Sequence, residues 1–254
     1  MTFHLHTDIG HDPDDVIALC YLIEHGHLPT SISITPGHIE QVHIIHGLYV
    51  DYQLRRPKLY VSKKDMGEKK YVYGPHSQLT CCRTIMGIKT FPLEESYITC
   101  DQALVIGPAV NLGKRLETDI MFFQGGYSPN SINPLEKFLG RTNVMSYNPN
   151  GAKKDFELLR DSEFIKEKYY IGKNVCHGYL KKQLDWEPTP KVPKAFFHNL
   201  SGDKAMHDVL AAQCFIDKTK GIYERAEPYF GKGGMMTTRV TDKDIWSLIG
   251  IKDD

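Results

Sequence analysis

Residues 8–15 read Asp8-Ile9-Gly10-His11-Asp12-Pro13-Asp14-Asp15 and stand where two hydrophobic periods meet. Before them, Phe3, Leu5 and Thr7 alternate with His4 and His6, which predicts a short strand ending at Asp8. After them, Ile17, Leu19, Leu22 and Ile23 supply the apolar faces of a helix. Asp12 reads as its N-cap, Pro13 as its first residue, Asp14 and Asp15 as first-turn acids and Gly26 as its C-cap.

Further along the chain the same alternation recurs. Ser31 to Thr35 reads as a second strand, closed by Pro36-Gly37, then Ile39 to Leu54 as a helix and Lys58 to Ser62 as a strand. Asp101 to Ile106 before Gly107-Pro108, and Asp119 to Phe123 before Gly125-Gly126, read as further strands. This order predicts an α/β fold, a mostly parallel central sheet flanked by helices, as one domain over residues 1–254. In such a sheet the ligand crevice lies outside the carboxyl ends of the strands, where Asp8, Gly107 and Gly125 fall. Lys63 to Tyr97 reads as loop with short helices folding over the site, and the tail after Pro228 as a terminal hairpin.

Composition sets the outer bounds. The 254 residues are 41% hydrophobic, enough for a substantial core, and no apolar run reaches membrane-spanning length. Lys plus Arg and Asp plus Glu number 31 each, so net charge gives no reason to expect nucleic acid or a membrane as partner. The first residues lack the apolar stretch of a signal peptide, and six cysteines without CxxC spacing argue against zinc. A cytoplasmic protein with free thiols is the expectation.

Four carboxylates within eight residues raise one another's pKa unless a cation or dipole offsets them. A helix N-terminus favours one or two acids by about 0.3–1 kcal/mol each. A hard divalent cation with oxygen ligands accounts for all four; the plainer alternative is a capping Asp12 with solvated neighbours. Spacing excludes two familiar sites. An EF-hand loop needs glycine where Pro13 falls when counting from Asp8. Phosphatases of the haloacid dehalogenase type need a second aspartate where Gly10 stands.

Thr7-Asp8-Ile9-Gly10-x-Asp12-x-Asp14-Asp15-x-x-Ala18-Leu19 resembles the N-terminal signature of the inosine–uridine preferring nucleoside hydrolase family. Ile106-Gly107-Pro108-Ala109-Val110-Asn111-Leu112 is similar to its GPLTN stretch, and Met121 to Gly126 to its strand ending in MGG. Met206-His207-Asp208-Val209-Leu210-Ala211-Ala212 resembles its HDPLA motif. The resemblance implies one Ca²⁺ held by Asp8, Asp15 and Asp208, with Asp12 a further candidate and a backbone carbonyl near Phe123. It also implies hydrolysis of the N-glycosidic bond of a nucleoside or related riboside to ribose and free base. Asp8 would take a proton from water acidified by the metal, and His207 would protonate the leaving base. The substrate is a small molecule, and homo-oligomers are usual in that family.

Other contacts follow the same resemblance. Asn148, within Ser146-Tyr147-Asn148-Pro149-Asn150-Gly151, matches an asparagine that meets the sugar, although Asn-Pro-Asn-Gly is also plain turn chemistry. Asn174 and His177 line the crevice or cap a helix. The first motif departs from the family's DTDPGxDD: His6 replaces the first acid, and two extra residues precede Asp14-Asp15. Either Asp12 or Asp14 then meets metal or ribose. His38 stands where many members have asparagine, and Gln124 replaces a methionine. For the base, Tyr71, Tyr73, Tyr147, Trp186, Phe196 and Phe197 are conceivable walls, with His76 reaching in from the variable loop. A non-catalytic calcium or riboside-binding module, or a hydrolase of a modified nucleoside or nucleotide using Lys173 for phosphate, are the competing readings.

Overall fold

The computed structural model describes residues 1–62, 87–127, 145–225 and 234–240. Its centre is the predicted first strand, β1 (Phe3–Thr7), all five of whose residues are buried. β1 lies between β2 (Ser31–Ile34) and β5 (Ile98–Val105), parallel to both. β3 (Lys58–Val61) and the short β4 (Phe91–Pro92) extend the sheet beyond β2. β6 (Leu116–Gln124) and β7 (Ile165–Ile171) extend it beyond β5. The last pair is β8 (Gly221–Arg225) and β9 (Gly234–Val240). The sheet order is β4-β3-β2-β1-β5-β6-β7-β9-β8, parallel throughout except for the β8–β9 hairpin. The expected α/β architecture with a parallel sheet is what forms.

Strand alternation sorts the core onto two faces. Leu5, Ile34, Leu104 and Phe122 pack with α1 (Asp14–Glu24), α2 (Ile39–Asp51), α6 (Lys191–His198) and α7 (His207–Ile216). Ala103, Val105, Met121 and Phe123 face the other way, onto Phe156 and Leu159 of α4 (Lys153–Arg160). Two shorter helices, α3 (Tyr147–Gly151) and α5 (Lys173–Cys176), follow β6 and β7. No described helix is long and apolar enough to cross a membrane.

Helix ends differ from the sequence reading by small, explicable amounts. The first intrahelical bond of α1 runs from Ile17 N–H to Pro13 O, so Pro13 is the cap, and Asp12 is free for other work. Gly26, at φ +79°, is the left-handed residue just past the end, with His27 N–H reaching Leu22 O and Gly26 N–H reaching Ile23 O. α2 stops at Asp51 rather than Leu54, because Gln53 at φ +55° closes the same kind of motif. Between Lys63 and Tyr97, residues 63–86 lie outside the described residues; β4 and a single turn at Leu93–Glu95 occupy the rest. The C-terminal hairpin includes β8, upstream of the predicted tail.

Candidate metal and substrate site

The carboxyl ends of β1, β5 and β6 open into a cavity of about 240 Å³. Asp8 follows β1 and is 7% exposed. Asp14 and Asp15 form the first turn of α1, and Asp208 is in the first turn of α7, so two helix N-termini point their positive ends at the acids. α1 and α7 pack against each other, which is why acids so distant in sequence converge. Asp14, Asp15 and Asp208 each offer an oxygen, all within 4.8 Å of one another. Asp8 lines the same cavity.

This crowding has an electrostatic signature. Burial first, then neighbouring carboxylates, push Asp14, Asp15 and Asp208 well above the ordinary carboxylate range. Asp15 accepts the Thr7 hydroxyl proton, and Asp14 Oδ2 accepts the Asp208 N–H at 3.4 Å. Asp14 Oδ1 is buried and accepts no hydrogen bond among the described residues. A buried carboxylate oxygen without a donor, among like charges, fits a cation. Oxygen donors alone suit a hard ion of the calcium or magnesium kind.

Asp12 lines the same cavity and hydrogen-bonds with the Asp14 carboxyl. Burial alone would raise it, but the Asp14 carboxyl and the paired Lys204 ammonium outweigh that effect and hold it below the usual range. Phe123 has its ring buried against Phe156 and Tyr170, and the cavity wall on β6 is Gln124. His38 caps α2 and does not line the cavity; Gln41 Oε1 accepts the N–H groups of Gly37 and His38.

Asn148 is buried and lines the cavity, but its amide nitrogen is engaged. It donates to Ile106 O at 2.8 Å, Gln124 O at 3.0 Å and Gln124 Oε1 at 2.7 Å, tying the ends of β5 and β6 together. His177 and His207 both line the cavity, ring centroids 4.4 Å apart and edge to face. Burial and then the Lys204 ammonium lower His207 to about 4, so its imidazole is neutral near pH 7. Asn174 lies in α5, and its side chain is outside the described residues.

Among the aromatic candidates in the described residues, Tyr147 alone lines the cavity, its ring nearly parallel to that of His11 at 6.4 Å. Phe196 and Phe197 are core residues, and Trp186 packs on Tyr21 while donating to Glu24. Tyr71, Tyr73 and His76 lie outside the described residues. Lys173 lines the cavity and donates to Met145 O. Sequence reasoning missed Lys204. An ammonium just before a helix N-terminus is badly placed for the dipole, and that misfit was the available sign of an acidic partner.

Three solved structures share this architecture over nearly their whole length. A plant nucleoside hydrolase aligns with a TM-score of 0.64 at 14% identity, covering 98% of this chain and 97% of its own. An inosine-guanosine nucleoside hydrolase gives 0.57 at 12%, and an inosine-uridine preferring nucleoside hydrolase from Bacillus anthracis gives 0.59 at 10%, each covering 98% of both chains. No family model matches the sequence, and no curated protein does. The chain has the nucleoside-hydrolase fold in a far-diverged sequence.

Proposed function

We propose that this protein is a divalent-cation-dependent N-ribohydrolase, with calcium the ion that the family resemblance implies, cleaving a nucleoside or related riboside into ribose and free base. The observation that carries this reading is the convergence of Asp14, Asp15 and Asp208 beside Asp8 at the carboxyl end of a sheet with the nucleoside-hydrolase fold. A bound cation supplies the charge that gathers ribose hydroxyls and lowers the pKa of a nearby water.

The chain's own residues then divide the work. Asp8 accepts the proton of the attacking water, whose oxygen bonds to C1′ as the C1′–N bond breaks and its electron pair passes to the base. His207 lines the cavity where the base departs, and the base takes its proton from solvent. Tyr147, 55% exposed at the mouth, offers a ring face to a flat base. Lys204 pairs with Asp12 and keeps it charged at the cavity wall.

A panel of ribosides, assayed for reducing sugar with calcium and after exhaustive chelation, tests the reading. Base release that disappears on chelation and in Asp8→Ala supports it. Full activity in either condition sinks it. Calcium and ribose binding without turnover would make the protein a binding module, and faster turnover of a phosphorylated riboside would bring in Lys173.

A further inference from the structure

On the sheet face turned away from α1 and α7, two imidazoles of β1 are fully buried. His4 Nδ1 lies 2.8 Å from Ser31 Oγ, and His4 Nε2 lies 2.8 Å from Ser33 Oγ. His6 Nδ1 lies 2.6 Å from the same Ser33 Oγ, and His6 Nε2 lies 2.7 Å from Pro108 O. These partners are hydroxyls and a carbonyl, which offer no counter-charge to a buried imidazolium, so both rings are neutral.

One acceptor then fixes every proton in the series. Pro108 O can only accept, so His6 carries its proton on Nε2 and its Nδ1 must accept from the Ser33 hydroxyl. Ser33 has spent its single proton and accepts from His4 Nε2–H. His4 Nδ1 accepts from the Ser31 hydroxyl. The chain runs in one direction across three adjacent strands, from β2 through β1 to the loop after β5.

That loop is the back wall of the site. A Cβ on Gly107 would lie 2.6 Å from Asp8 N and 2.9 Å from Asp8 Oδ1, so the 107–108 backbone rests directly on Asp8. Asn148 clamps the preceding carbonyl, Ile106 O, from the other side. Pro108 O also receives Val110 N–H at 2.6 Å, so His6 fills its second lone pair.

We infer that the series Ser31–His4–Ser33–His6–Pro108 is a positioning device for Asp8, holding the Gly107–Pro108 backbone against it. Only the catalytic role of Asp8 is borrowed from the ribohydrolase reading; the hydrogen-bond series does not depend on it.

Long-range ¹H–¹⁵N NMR of the imidazoles, with amide spectra of Ser33→Ala and Ser33→Thr, tests this. Both histidines are expected as Nε2–H tautomers near neutral pH. Ser33→Ala should shift the Asp8 and Gly107 amides, which it does not touch, and Ser33→Thr should restore them. With a turned-over riboside, Ser33→Ala should lower kcat about tenfold at unchanged KM, the lower range for outer-shell partners. A proton on His6 Nδ1, or unmoved Asp8 and Gly107 amides in Ser33→Ala, overturns the inference. The expected tautomers and shifts in a protein that hydrolyses no riboside would refute the ribohydrolase reading and uphold the positioning device.

Discussion

Asp14 buries a carboxyl group among like charges, and such crowding costs folding free energy until a cation meets it. Asp14→Asn should therefore raise the Tm of chelator-treated protein by about 2–4 °C for each kcal/mol of repulsion relieved. It should also abolish the Tm gain on adding calcium; thermal melts with EDTA and with calcium check both. An undiminished calcium gain would remove Asp14 from the ligand set. The acids and His4 respond to pH in opposite senses. Asp14, Asp15 and Asp208 titrate higher folded than unfolded, so their contribution is full below the usual carboxylate range and is lost as pH rises through the raised values. Burial, then the neighbouring His6, lowers His4 from 6.5 to about 3, so its contribution is full above 6.5 and is lost as pH falls toward 3. Calcium-loaded protein should gain stability from pH 4 to 6.5, at up to about 1.4 kcal/mol per pH unit from His4, while EDTA should flatten or reverse the climb. Urea unfolding across that range, with His4→Gln as the flatter control, measures it. The crowding of Asp8, Asp12, Asp14 and Asp15 was legible from residue type and spacing, whereas Asp208 was joined to them only by the resemblance of Met206–Ala212 to a family motif. The pairing of Asp12 with Lys204 was not legible, since a partner's identity depends on which loop folds alongside.

Two glycines show what elements demand of single positions. Gly26 is left-handed, and a methyl placed on its Cα would meet no atom within 4 Å, so Gly26→Ala suffers only backbone strain. It should cost about 1 kcal/mol in chemical denaturation and leave calcium affinity unchanged. Gly107→Ala is the reverse case, a methyl driven into Asp8. It should cost about 1–3 kcal/mol by overpacking and lower riboside turnover at least a hundredfold; turnover near the parent's would mean Asp8 is not the base. The first two helices and strands β1, β2, β3, β5 and β6 were readable to within a few residues because alternation and the 3.6 period state them directly. In contrast, β4, β7 and the helices after residue 145 were given no bounds. Element ends were less plain. α2 ends early at Asp51, ahead of Gln53, a residue that no pattern marks as left-handed. The His4–Ser33–His6 series was also hidden, because it needs the exact register of β1 on β2.

Across the molecule, the parallel sheet followed from the strand–helix order, and the three nucleoside hydrolase structures share it. The base pocket was the least legible part, since aromatic residues mostly fill cores, as Phe196, Phe197 and Trp186 do. If one ion joins the start of α1 to the start of α7, calcium should slow hydrogen exchange in both together. Exchange mass spectrometry on peptides covering 8–15 and 207–210 checks this, and protection confined to one of them would break the link. Asp14 and its partner Asp208 are 194 residues apart along the chain. A polypeptide still emerging from the ribosome thus displays most of its acids almost at once, yet the last arrives only after the sheet strands between them have been made. If the proposed ion binds there, its capture would report that synthesis has passed residue 208, and a prematurely terminated product would lack that reinforcement.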